Sequence, residues 1–226
     1  MLRAAAYLAF AGAITIVALH FVPLANGAEP GALMAALEQR LASGTEMLFR
    51  SATPDKPRQN AFLAAAAAHA QDPLKLGKRS IKGGCAAEDG LPDSACTPGA
   101  VFADATPATI CVSGYTKTVR NVSVATKRSV YKEYGLSYPQ PSGAYEVDHL
   151  IPLELGGAND IANLFPEAAK PTPGFHEKDL VENYLHQKVC DGELALAYAQ
   201  QQIATNWLIV WNALTPSEIA ALKAQY

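Results

Sequence analysis

Asp148 and His149 are adjacent in the run Tyr145-Glu146-Val147-Asp148-His149. A carboxylate is a ligand for a hard divalent cation. An imidazole, with an ordinary pKa of about 6.5, can take a proton from water at neutral pH. Neighbours in an extended strand point to opposite faces, so the pair needs a bend to expose both groups. Pro152 and Gly156-Gly157 suggest a bent hairpin: a short strand, a polar turn-out, then a second short strand. Further along, His176, Asp179, Asn183 and His186 share an arc about 80° wide if residues 175–190 form a helix. Leu180, Val181, Tyr184, Leu185 and Val189 fill the other side as a core face. A metal ligand beside a base, facing such a stripe, is equipment for hydrolysing a phosphodiester. The metal would neutralise developing charge; the histidine would activate water, a contribution of about 10²–10⁴-fold. Oxygen ligands such as Asp148 and Asn183 favour Mg²⁺ or Mn²⁺, whereas a helix histidine moves the choice toward Zn²⁺ or Ni²⁺. Glu146 and Glu154 could orient ligands, although Glu154 reads more simply as a surface residue of the second strand.

A phosphate substrate calls for cations. The net charge of −3 counts mildly against a nucleic-acid partner. The charge is unevenly spread, however. Between residues 112 and 135, Lys117, Arg120, Lys127, Arg128 and Lys132 are opposed by Glu133 alone. Such a patch can hold a phosphate backbone even on an acidic protein; a solvated face is the plainer reading. Lys178, on the site helix, joins the candidate nucleic-acid contacts. No base-reading motif is visible, so weak sequence specificity is expected.

The elements that must position these groups follow from pattern. Residues 31–50 have leucines at helical spacing, and 59–71 reads as a second, alanine-rich helix. Residues 72–100 are rich in Gly, Pro, Asp and Ser and read as an irregular segment. The β-branched and aromatic residues of 108–124 suggest short strands. Residues 126–134 read as a short helix stopped by Gly135, and 175–190 as a helix stopped by Gly192. A helix over 193–214 places Trp207 and Trp211 on one face. Thr215-Pro216-Ser217-Glu218 is a capping box opening a last helix.

Residues 146–157, Glu-Val-Asp-His-Leu-Ile-Pro-Leu-Glu-Leu-Gly-Gly, with Asn159-Asp160 and Asn163-Leu164-Phe165-Pro166, resemble the HNH endonuclease motif of the ββα-metal superfamily. Lys178-Asp179, Glu182-Asn183, His186 and Val189-Cys190, with Cys96-Thr97-Pro98-Gly99 and Ile110-Cys111, resemble one exported bacterial subgroup of it. The resemblance covers roughly residues 96–210. It implies an α+β fold: a mostly helical domain, residues 96–226, with a small ββα-metal core of hairpin plus helix. It implies an endonuclease cutting DNA or RNA with one divalent ion. His149 would be the general base, Asp148 a metal ligand, and Asn163 the brace of the hairpin loop. The last ligand would come from the helix, Asn183 or Asp179 ahead of His176 or His186.

The N-terminus has Arg3, an apolar run over 4–24 and the small residues Ala25-Asn26-Gly27-Ala28. That describes a secretory signal over residues 1–28, or an uncleaved membrane anchor. Residues 29–95 would form a helical region and a disulfide-held loop. The mature protein would be periplasmic or extracellular, without stable membrane association once the signal is cleaved. Cys85, Cys96, Cys111 and Cys190 then suggest two disulfides. Three pairings are possible; Cys85–Cys96, closing the irregular loop, and Cys111–Cys190, tying a strand to a late helix, are favoured. The rival to an enzyme is a non-catalytic binding module of the envelope on an HNH-like scaffold.

Overall fold

The computed structural model describes residues 56–225. The expected signal or anchor and the helix over 31–50 lie outside the described residues. Among the described residues the fold is α+β, with helices predominating. Helix α1 spans Lys56–Ala68. Two-residue strands β1 (Ala87–Glu88) and β2 (Leu91–Pro92) pair antiparallel. Asp89 and Gly90 turn the chain between them, both at positive φ.

Residues 108–124 form two short helices joined by turns, with no strand among them, which corrects the expected strands. Helix α2 spans Pro107–Ile110 and α3 spans Tyr115–Val119. Local capping overrides the β-branched composition. Thr106 caps α2, exchanging bonds with Thr109, and Pro107 sits in the first turn. That arrangement satisfies donors a strand would have left to a partner. Helix α4, Val124–Glu133, is capped by Ser123 and ends before Gly135 at φ 69°.

Strand β3, Tyr145–His149, pairs antiparallel with β4, Leu164–Ala168, placing Asp148 opposite Phe165 and His149 opposite Leu164. The expected second strand within 150–157 is therefore misplaced. That stretch is a buried loop with a 3₁₀ turn over Leu153–Leu155. Its run of apolar residues reflects burial in the loop rather than pairing: Leu150, Ile151, Leu153 and Leu155 are all at most 2% exposed. The pair of glycines is sterically required there. A Cβ on Gly157 would run into the Ile151 carbonyl, and Gly156 has φ 77°.

Helix α5, Phe175–Cys190, follows the hairpin. Leu180, Val181, Tyr184, Leu185 and Val189 are buried as the wheel required. They join α6 (Leu196–Ala213) and α7 (Pro216–Lys223) in the larger core, around fully buried Trp207. Thr215 and Glu218 form the expected capping box. Both favoured disulfides are present. Cys85–Cys96 lies in a smaller core behind the hairpin, with Val130, Tyr134, Leu164 and Phe165. Cys111–Cys190 joins the end of α5 to the end of helix α2, not to a strand. Among the described residues, no helix is long and apolar enough to cross a membrane.

Candidate active site

One amide makes four of the hydrogen bonds that hold the loop between β3 and β4. Asn163 is fully buried. Its Oδ1 accepts from the Ile151 and Ala100 amides at 2.9 and 3.3 Å. Its Nδ2 donates to the Ile151 and Ala158 carbonyls, both at 2.9 Å. A buried loop must satisfy its backbone groups without a ladder, and this side chain does so at four points.

His149 ends β3 and is 4% exposed. Its Nε2 is 3.1 Å from Asn159 Oδ1; Nδ1 carries no hydrogen bond among the described residues. Burial lowers the imidazole pKa below its usual value, against opposing help from Asn159 and Asp148. The ring is thus neutral at pH 7, the form a base requires.

Asp148 meets a partner expected instead at the substrate. Lys178 Nζ lies 2.6 Å from Asp148 Oδ2 and 2.8 Å from the His149 carbonyl, and it also pairs with Glu182. Glu167 stands 3.6 Å away. Lys178 is fully buried, which corrects its assignment as a nucleic-acid contact: an ammonium sealed among carboxylates cannot reach a phosphate backbone. On the helix wheel it lies about 200° from His176, on the apolar side. A lysine on a core face was the available signal. Burial disfavours its charge, but Asp148, Glu182 and Glu167 hold its pKa well above the ordinary value. Burial works against the Asp148 charge too, yet Lys178 keeps that carboxyl below its usual range. One ammonium cannot hold three acids ionised. Burial pushes Glu167 and Glu182 well above the carboxylate range.

Beside this network lies a cavity of about 490 Å³ lined by Arg120, Glu154, His176, Asp179, Glu182 and Asn183, among others. Three members of the expected stripe therefore share one space. His186 does not line it. Its Nε2 is 3.2 Å from the Ile110 carbonyl and 3.4 Å from Cys190 Sγ. Cys111, His186 and Cys190 are close enough to share a metal, but the two sulfurs are bonded to each other. Glu154 is not a strand surface residue, as expected, but part of the 3₁₀ turn facing this cavity. Its Oε1 is cut off from solvent with no hydrogen-bond partner. Burial pushes the Glu154 carboxyl up to about 7. Glu146 on β3 is also pushed up to about 7, first by burial and then by Asp148 and Asp179. Asp179 is shifted upward first by burial and then by Asp148.

The cations separate. Arg120 lines the cavity. Lys117, Lys127, Arg128 and Lys132 are on α3 and α4, outside it, with Arg128 lying 5.3 Å over the Tyr138 ring. Sequence reasoning missed Glu167 and Asn159, which act through tertiary contacts, and Glu182, which pairs with Lys178 along the helix. Only the Lys178–Glu182 spacing of four residues hinted at one of them.

No family model, no curated protein and no solved structure matches this chain.

Proposed function

We propose that this chain is an exported, metal-dependent endonuclease that hydrolyses DNA or RNA phosphodiesters with weak sequence specificity. The observation that supports it most is the arrangement at His149. A neutral, buried imidazole with an unpartnered Nδ1 ends a strand whose Asp148 is tied to helix α5, and that helix lines an acid-rich cavity with Arg120. An antiparallel hairpin followed by a helix is the order the HNH resemblance implies. Two disulfides fit an oxidising compartment.

The donor set suits one hard divalent ion. Oxygen ligands predominate in the cavity, and the solvent-excluded, partnerless Glu154 Oε1 is an atom that a cation would satisfy. Glu154, Asp179 and Asn183 would hold it. Among the described residues no three acid or histidine ligand atoms at this cavity lie within 4.8 Å of one another, so Asp148, tied to Lys178, and His176 would join only after their side chains move; His186 is occupied elsewhere. Bound there, Mg²⁺ or Mn²⁺ would stabilise charge on the phosphoryl and leaving oxygens. His149 takes a proton from water at Nδ1 and orients that water toward phosphorus. Asn163 keeps the loop, and so the end of β3, in place. Lys117, Lys127 and Arg128 would follow the substrate backbone.

A second reading has its own observation. Lys178 already neutralises Asp148, as it would in a non-catalytic binding module on the same scaffold. Plasmid nicking by the mature protein, with and without EDTA, across Mg²⁺, Mn²⁺, Zn²⁺ and Ni²⁺, separates the two. Cleavage abolished by EDTA and restored by one of these ions supports the enzyme. No cleavage under any of them leaves the binding module.

A further inference from the structure

Three groups from two separate parts of the chain meet the side chain of Asn159. Nδ2 donates to the Val119 carbonyl at 2.7 Å. Oδ1 accepts from the Asn121 amide at 3.2 Å and faces His149 Nε2 at 3.1 Å. The two backbone partners determine which end of the amide is oxygen. Turned over, N–H would face N–H and carbonyl would face carbonyl. Oδ1 has no proton to give, so Nε2 must carry one. Neutral His149 is then the Nε2–H tautomer, with its lone pair on Nδ1.

The same amide brackets Arg120, since Val119 and Asn121 are its chain neighbours. Arg120 closes the short helix α3, a position with little regular structure to hold it. Its side chain nevertheless lines the cavity with Glu154, Asp179 and Asn183. A guanidinium there matches the planar, bidentate geometry of a phosphate.

We infer that Asn159 is a positioning residue that makes Nδ1 the proton-accepting nitrogen of His149 and holds Arg120 at the cavity as the cation for the reacting phosphate. The Arg120 half rests on the nuclease reading; the tautomer half does not. One residue thereby couples base and anion anchor, so a displacement of either is felt by both.

The test combines ¹⁵N imidazole spectra of the metal-free protein with cleavage kinetics of the metal-loaded protein. The wild-type spectrum should show His149 protonated at Nε2; a proton on Nδ1 overturns the tautomer half without any variant. Asn159→Asp keeps an acceptor toward Nε2 but loses the donor to Val119. It should retain the tautomer while raising KM about tenfold, the value of one charge-assisted hydrogen bond to the phosphate. Asn159→Ala loses both functions, and kcat should fall about 10–100-fold, the range for partners that orient a functional histidine. Arg120→Ala should raise KM as Asn159→Asp does, and the double variant should be little worse than either alone. Independent, multiplying effects in that pair overturn the coupling. A wild-type protein that cuts nothing sinks the nuclease reading, while the spectra still decide the tautomer.

Discussion

The two halves of helix α5 are built on opposite principles. Its first half carries Lys178, Asp179 and Glu182 beside the core residues Leu180 and Val181, buries an ammonium among acids and, with Asn183 just beyond it, lines a cavity. Its second half carries Tyr184, Leu185 and Val189, all buried in an apolar core, and ends in a disulfide. Burying ions is expensive, and replacing a buried pair by apolar residues is often neutral or stabilising. The first half therefore retains a feature that stability alone does not require. Chemistry belongs at that end and cohesion at the other.

The largest effect that would separate the halves is on catalysis. His149→Ala should lower cleavage by about 10²–10⁴-fold while the protein still unfolds in one cooperative transition, lowered only by the loss of a buried side chain and its one hydrogen bond to Asn159. Parent-rate plasmid nicking by this variant would remove His149 as the base. Next comes Lys178→Met. It leaves the half-buried Asp148, its side chain 17% exposed, without its cation and should cost about 3 kcal/mol, the low end for breaking a buried pair, in urea unfolding, with cleavage reduced as well. The counterpart at the other end is replacement of Cys111 and Cys190 by serine. That opens a link between residues 79 apart and should cost about 4 kcal/mol, yet kcat at a temperature where the variant is folded should stay at the parent value. Equal loss of kcat in both variants would show that the halves are not separable.

How much of this was legible follows the same division. The helix over 175–190 and its core face could be read because apolar residues recur at a local period. Asn163, Asp148 and His149 stood in a dense motif. The partner strand of β3 was misplaced because residues 150–155 look strand-like for a different reason: both sides of that loop are buried. Its true partner begins at Leu164, beyond a loop closed by Asn163 side-chain bonds that no periodicity encodes. Lys178 was misjudged because its charge suggested solvent, and the three acids around it come from β3, β4 and the next helical turn. Residues 108–124 have a strand-like composition, but the Thr106 cap decides the conformation of their first turn. Capping is read from single residues at defined offsets, and Thr106-Pro107 with Thr109 was legible in principle.

The cations of α4 test whether the cavity or the surface holds substrate. Lys127 and Arg128 lie on that helix, outside the cavity lined by Arg120. Replacing both by alanine should lower the slope of log affinity against log salt by about 2, one for each phosphate no longer neutralised, and leave the metal requirement unchanged. An unaltered slope would confine substrate binding to Arg120 and the cavity.

The smallest expected effect lies at the cohesive end of α5. The Tyr184 hydroxyl is pushed up to about 12, first by burial and then by the nearby Glu218 carboxylate. Its pKa is raised on folding, so the native state favours the protonated phenol. That contribution is fully present below pH of about 10, the value in an unfolded chain, and is lost as pH rises through about 12. Urea unfolding followed across that interval should show stability falling with pH, by at most about 1.4 kcal/mol per pH unit for one group. Tyr134, also pushed up to about 12, mainly by burial, adds a second such contribution behind the hairpin. Tyr184→Phe should therefore flatten the alkaline slope by at most about 1.4 kcal/mol per pH unit, one group's share, and leave cleavage at neutral pH untouched, because the phenol lies beside Glu218 of α7 and not in the cavity. A Tyr184→Phe protein with a lowered kcat would mean that the two halves of the helix communicate, and the separation of chemistry from cohesion along α5 would have to be abandoned.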